Sequence, residues 1–203
     1  MIDGNRIVSV YPVGVKVLYD MQVEERHNYI AGGMVHHNTI VGAYETTCHL
    51  TGVYPVWWEG RRFDNPVQWW AAGDTGETVR DIIQLELLGP KNDLGTGMIP
   101  GDLILDTRPR TGIPDAVKDI YVKHVTGGTS YLGLKSYDQK RKSFQGTAKQ
   151  GIWNDEEPPM DVYTEELMRT MTTNGIMINT FTPLSGLSEV VLSFLPGGVC
   201  PKQ

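Results

Sequence analysis

In the stretch "VHHNTIVGAYE" (Val35 to Glu45), Thr39 directly follows Asn38, and His37 directly precedes it. An asparagine side-chain amide can attack its own backbone carbonyl, closing a succinimide and breaking the following peptide bond. The reaction is slow unless the carbonyl is polarised and the leaving amine protonated, and His37 is adjacent for either task. The hydroxyl of Thr39 can accept an acyl group where a base or a shaped site activates it. Together the three residues permit acyl transfer followed by cleavage after Asn38. The competing reading is a polar turn, which His, Asn and Thr form readily. A second group lies far downstream in "GIWNDEEPP" (Gly151 to Pro159), an apolar strand ending in acids. Asp155 there suits a divalent cation and Glu156 suits a base acting on water. Strand-end carboxylates also cap helices or face solvent, and Asn154 interrupts the apolar run.

The elements that must position these residues differ on the two sides of Asn38. From Asn5 to His37 the chain is rich in Val, Ile and Tyr, alternates in "KVLYDMQVE" and turns at Pro12, Gly14, Gly32 and Gly33. It reads as a short all-β piece, too small to bury a core alone and expected to complete another fold. Beyond Asn38, helices alternate with strands. "TIVGAYETTCHLTG" predicts a helix closed by Gly52, and "VQWWAAG" an apolar strand. "DTGETVRDIIQLELLG" predicts a surface helix capped by Asp74 or Thr75. Gly89 to Pro114 is expected to be irregular around a short "LIL" strand. "DIYVKHV" and "TSYLGLKS" predict a hairpin about Gly127 and Gly128. The strand before Asp155, a helix from Val162 to about Met171, the strand "GIMINTFTP" and a short final helix follow. This order predicts a mainly parallel α/β sheet.

Composition narrows the classes. With 18 basic and 24 acidic residues among 203, the net charge of -6 argues against a chain whose main task is coating nucleic acid or an anionic membrane. The two cysteines, Cys48 and Cys200, are far apart and form neither a disulfide framework nor a zinc motif. No stretch stays apolar long enough to span a bilayer, so no membrane partner is expected.

The block "VLYDMQVEERHNYIAGGMVHHN" resembles the C-terminal block of inteins, with its Tyr-Asp pair, alternating strand, His-Asn with an aromatic, Gly turn and terminal His-Asn. The resemblance covers Met1 to Asn38 and implies a fragment of the all-β Hint-type fold. It implies that Asn38 is the cyclising asparagine, His37 its penultimate helper, and His27 the block histidine supporting the same step. Asp20 would coordinate transfer with cleavage, and Thr39 would be the first residue of the C-extein, the nucleophile that receives the upstream segment. His36 stands where the family more often has an apolar residue. No N-terminal intein block is present, so splicing would occur in trans with a separate N-terminal half; truncation of a contiguous intein remains the alternative.

From Thr39 onward, "TIVGAYETTCHLTGVYPVWWEGRRFD", "WWAAGDTGETVRD", "SYDQKRKSFQG", "IWNDEEPP" and "INTFTPLSG" resemble, in this order, the ATPase domain of large terminase subunits of tailed phages. That resemblance implies a P-loop NTPase-like domain, yet this sequence contains no G-x-x-x-x-G-K. If an intein interrupts that loop after its lysine, Thr39 is also the loop threonine that ligates Mg2+ together with Asp155, with Glu156 as base. Thr180 or Thr182 would sense nucleotide phosphate. Arg141 is a candidate arginine finger, with a solvated basic loop or a contact of Lys140, Arg141 and Lys142 with DNA phosphates as alternatives. Trp57, Trp58, Trp69 and Trp70 are expected to pack.

The reading is therefore an intein fragment over residues 1–38 and a partial terminase ATPase domain over 39–203. Splicing needs no cofactor; the ligated ATPase would use ATP and Mg2+. The expected partners are an N-terminal intein half whose extein carries the G-x-x-x-x-G-K and, after ligation, double-stranded DNA, other terminase subunits and the portal. The expected setting is the cytoplasm of an infected bacterial host. A plain α/β nucleotide-binding module with a structural β-rich N-terminus is the competing reading.

Overall fold

The structure is a computed structural model that describes residues 28–31, 34–181, 186 and 188–194, with side chains from Thr39 onward. Strands β1 (Asn28–Ala31) and β2 (Met34–His37) pair antiparallel, with Asn28 opposite His37. Helix α1 (Asn38–Thr51) starts at the next residue with no linker. The expectation of an all-β Hint-type fragment as one part of the fold is corrected here. Among the described residues the segment before Asn38 contributes only this two-stranded ladder, and two four-residue strands have no second layer on which to close a core. The alternation of Val, Ile and Tyr signals strand, but it does not specify a sheet for the strand to join.

The main sheet has six strands in the order β4-β5-β6-β3-β7-β8. They are β3 (Gln68–Gly73), β4 (Ile104–Pro109), β5 (Val117–Lys123), β6 (Thr129–Ser136), β7 (Gly151–Asp155) and β8 (Ile176–Thr180). β6, β3, β7 and β8 run parallel, while β4 and β5 pair antiparallel to their neighbours. The sheet is therefore mixed: the predicted hairpin is β5 with β6, and β4 adds a further antiparallel strand at the margin. β4 extends from Ile104 to Pro109, beyond the predicted "LIL", because pairing with β5 orders residues whose own composition suggested a loop.

One face carries α1 and a rod formed by α2 (Gly76–Thr78), a π-helical stretch (Val79–Gln84) and α3 (Leu85–Leu88). Ala43, Leu50, Ile83 and Leu87 bury there against Trp69, Ala71, Ile120, Leu132 and Trp153. The rod starts at the predicted cap: Thr75 accepts from Thr78 N–H, and the Thr78 hydroxyl caps Thr75 in return. The other face packs Trp70, Ala72 and Ile152 under Phe144 and Val162, the latter from α4 (Met160–Met171). The short α5 (Glu189–Phe194) follows β8 in the chain. Among the described residues no helix is long and apolar enough to cross a membrane. Trp69 and Trp70 are buried as expected, whereas Trp57 is 65 % exposed.

Two features fix where α1 begins and ends. At its far end the fully buried His49 stacks on Trp69 at 5.0 Å between centroids and meets the Tyr54 hydroxyl at 3.0 Å. Nearer its start, Gly42 lies against Trp153: a Cβ there would sit 2.1 Å from the indole nitrogen. Only glycine lets the first turn of α1 come so close to β7, and that approach brings Thr39 to the strand ends.

Candidate functional site at the strand ends

Because β3, β7 and β8 are parallel, their last residues share one edge of the sheet, and the N-terminus of α1 lies over it. The Thr39 hydroxyl faces both oxygens of the Asp155 carboxylate, at 3.0 and 3.2 Å. Thr180, opposite Asp155 in the β7–β8 register, donates to Asp155 Oδ1 at 2.8 Å, and Trp153 Nε1 donates to Thr180 Oγ1 at 2.7 Å. Three of the residues expected from sequence thus meet in one cluster although they span 142 positions of chain, from 39 to 180 counted inclusively. Asp155 is 5 % exposed. Burial raises its pKa from 3.8 to about 6, against the lowering effect of the hydrogen bonds from Thr180 and Thr39.

Glu156 follows at the sheet edge, exposed, with φ at +74°. A left-handed conformation costs a non-glycine residue about 1–2 kcal/mol. The surroundings hold it in place: its N–H donates to the Thr180 carbonyl at 3.0 Å, and its carbonyl accepts from the Tyr137 hydroxyl at 3.0 Å. Burial pushes the Tyr137 phenol well above its usual range, with the charges of Glu166, Asp155, Glu156 and Asp74 adding to the effect, so Tyr137 remains a donor.

The remaining expected residues fall elsewhere. Arg141 lies beyond β6, in the 3-10 turn Arg141–Phe144, where its Nε donates to Glu165 Oε2 of α4 at 2.9 Å. That side chain is tethered to α4 and is absent from the Thr39–Asp155–Thr180 cluster. Asp20, His27 and Thr182 lie outside the described residues. For His37 and Asn38 the backbone is described: His37 closes β2 and Asn38 opens α1. Sequence reasoning did not find Trp153 or Tyr137 as partners of the site, or Glu166 behind it. The one signal was Asn154, a polar residue in an apolar strand. A cavity of about 640 Å³ lined by Gln84, Lys91 and Arg110 contains none of the site residues.

The cluster offers hard oxygen donors, one hydroxyl and one carboxylate, of the kind that hold Mg2+. Among the described residues no group of three or more His, Cys, Asp or Glu could enclose a metal. A cation at this edge would take its other ligands from water or from phosphate oxygens.

Hydroxyl and carboxylate oxygens gathered at the carboxyl ends of parallel strands, beneath a helix N-terminus, mark an α/β protein with a candidate site at the strand edge. The family model described as "Terminase large subunit, T4likevirus-type, N-terminal" matches residues 38–198, and the chain belongs to this family. The large subunit of the terminase of Salmonella phage P22 is 38 % identical over 177 residues, a match covering 77 % of this chain and 36 % of that protein. The chain thus spans about a third of the length of this curated relative. Among solved structures, a large terminase from a thermophilic bacteriophage in complex with ADP is similar at 17 % identity and a TM-score of 0.35, covering 57 % of this chain and 26 % of that one.

Proposed function

We propose that residues from Thr39 onward form the metal-facing part of an ATPase site in a terminase large subunit that drives double-stranded DNA into a phage head. The observation that carries this reading is the contact between Thr39 at the start of α1 and Asp155 at the end of β7. A hydroxyl at a helix N-terminus paired with a strand-end acid is the donor set that a Mg-nucleotide needs on its protein side. When bound, Mg2+ neutralises charge on the transferred phosphate. Thr39 and Asp155 would hold it, Glu156 would take a proton from the attacking water, and Thr180 holds the Asp155 carboxylate. Other terminase subunits and the portal are the partners this reading implies, and the infected cell's cytoplasm its setting.

The test joins a segment ending in G-x-x-x-x-G-K directly to Thr39 and measures ATP turnover. Turnover is expected in the joined protein and not in the chain alone, and Asp155→Asn is expected to lower it by about 100-fold or more. Equal turnover in the Asp155→Asn protein would overturn the reading.

A second reading concerns how such a segment becomes joined. The family match begins at residue 38, so the intein-like block lies almost wholly outside it. Two further observations favour ligation at this junction. Thr39 carries the hydroxyl that acyl transfer requires, and β8 pairs only with β7 among the described residues, leaving an edge beside α1 where an added strand would fit. In this reading the Thr39 hydroxyl attacks the carbonyl carbon of a side-chain ester or thioester on a separate N-terminal partner, the partner's oxygen or sulfur leaves and takes up the hydroxyl proton, and the acyl group stays on Thr39 as an ester. The Asn38 side-chain nitrogen then closes on its own carbonyl carbon, and the bond to Thr39 breaks as the Thr39 amine leaves with a proton. That amine attacks the ester, giving a normal peptide bond and freeing the hydroxyl. His37 and His27 would assist the cyclisation and Asp20 would coordinate the steps.

Mass spectrometry after mixing with an N-terminal half is expected to show ligation with loss of residues 1–38. Asn38→Ala is expected to stall as a branched ester. Normal ligation by Asn38→Ala would exclude this route.

A further inference from the structure

Asn154 sits in the middle of the sheet, directly before Asp155, and is 0 % exposed. A polar amide in a central strand loses about 1–3 kcal/mol unless its hydrogen-bonding groups find partners. Its Nδ2 finds two: Glu166 Oε2 on α4 at 2.8 Å and Asn179 Oδ1 on β8 at 3.0 Å. Glu166 is also 0 % exposed. Two buried oxygens then remain without a partner, Asn154 Oδ1 and Glu166 Oε1. They belong to the two planar groups that already share one hydrogen bond. As a carboxylate, Glu166 has no proton with which to join them, and both oxygens stay unsatisfied. As a carboxylic acid protonated on Oε1, it can donate to Asn154 Oδ1 and close a cyclic acid–amide pair.

We propose that Glu166 is a neutral carboxylic acid in the folded protein, joined to Asn154 by two hydrogen bonds, and that through Asn154 it is a positioning residue for Asp155. The pair pins β7 to α4 at the residue before Asp155. The Asn154–Asn179 bond pins β7 to β8 one rung below the Asp155–Thr180 bond. The strand-end cluster thus rests on a side-chain rung from the next pair of residues.

The surroundings agree with a neutral acid. The groups shown to bear on this side chain are its hydrogen-bond partner Asn154 on β7 and, through charge, the Tyr137 phenol beyond β6, with Glu165 beside it on α4, and none of them is a cation. Glu165 holds Arg141 and Arg169, and among the described residues Glu166 has no ion pair. Burial pushes the Glu166 carboxyl up from 4.5 to about 8, with the Asn154 bond pulling the other way. A carboxyl raised in the fold lends stability that is fully present below the unfolded value near 4.5 and is lost as pH rises through about 8.

Glutamine reproduces the neutral acid, since its amide can both accept from and donate to Asn154. In the full chain, the unfolding midpoint of the wild type is expected to fall relative to Glu166→Gln as pH rises from about 5 to about 9. Parallel midpoints across that range would overturn the proposal. Infrared spectra of the wild type at neutral pH are expected to show a protonated-carboxyl stretch that Glu166→Gln loses. Its absence in the wild type would overturn the proposal even if variants fail to fold. The positioning role is read from the titration of Asp155 by carboxyl-carbon NMR. Asn154→Leu is expected to shift that titration and Glu166→Gln to preserve it, and an unmoved Asp155 in Asn154→Leu would remove Glu166 from any role in the site.

Discussion

Two hydroxyls oppose the effect of burial on Asp155. Thr180 has one proton to give, and Asp155 Oδ1 at 2.8 Å competes for it with the Asn154 carbonyl at 3.3 Å. The shorter contact and the acid's charge favour the carboxylate. Because Trp153 Nε1 donates to the same oxygen, the Thr180 proton is turned away from the indole and toward the acid. Thr180→Val is therefore expected to raise the Asp155 pKa above its value of about 6, by roughly one unit for a lost charge-assisted bond. The sign carries over to stability. A carboxyl raised in the fold favours folding fully below its unfolded value near 3.8, and that contribution is lost as pH rises through the folded value. Thr180→Val moves the upper end of this window to higher pH. Carboxyl-carbon NMR of the full chain checks the shift, and a value unchanged or lowered would show that Thr180 does not donate to Asp155.

At the scale of elements, the site depends on α1 lying unusually close to β7. Gly42 is the point of approach, and Gly42→Ala puts a methyl carbon where the Trp153 ring lies. Overpacking of this kind costs about 1–3 kcal/mol. Because Trp153 also orients Thr180, the variant is expected to weaken the Thr39–Asp155 contact as well as lower the denaturant midpoint. A denaturation curve matching the wild type would mean that α1 and β7 are not packed this tightly. These same elements separate what the sequence made legible from what it did not. The helix ending at Gly52, the Thr75 cap, the hairpin of β5 and β6 and the strand before Asp155 each follow from local periodicity and turn residues. Thr39 and Asp155 were legible because each combines a reactive type with a telling neighbour. Glu166 was not, because a glutamate on a helix reads as a solvated face; only the fold reveals that it points at Asn154, twelve residues away. The intein-like block went the other way. Its alternation indicated strands, but whether strands make a separate β fold depends on distant partners that local pattern does not encode.

At the scale of the whole molecule, the two margins of the sheet differ among the described residues. β4 closes one margin as the outer strand of an antiparallel hairpin, whereas β8 has its second edge beside the start of α1 with no strand on it among the described residues. Ile176 and Ile178 pack on the α1 face and Met177 on the α4 face, yet all five residues of β8 are only half-buried. A central strand of a parallel sheet is normally covered on both faces and paired on both edges. If a segment joined to Thr39 supplies a further strand beside β8, the amides of Ile176 to Thr180 that point away from β7 gain hydrogen-bond partners on it. Hydrogen exchange by mass spectrometry is expected to show β8 exchanging faster than β7 in the chain alone. After ligation of a G-x-x-x-x-G-K segment with its preceding strand, exchange in β8 is expected to slow by about 100-fold or more while β6 stays unchanged. Ligation that restores ATP turnover without protecting β8 would place the added strand elsewhere. Protection without turnover would separate completing the sheet from completing the site, leaving Thr39, Asp155 and Glu156 as the groups to vary next.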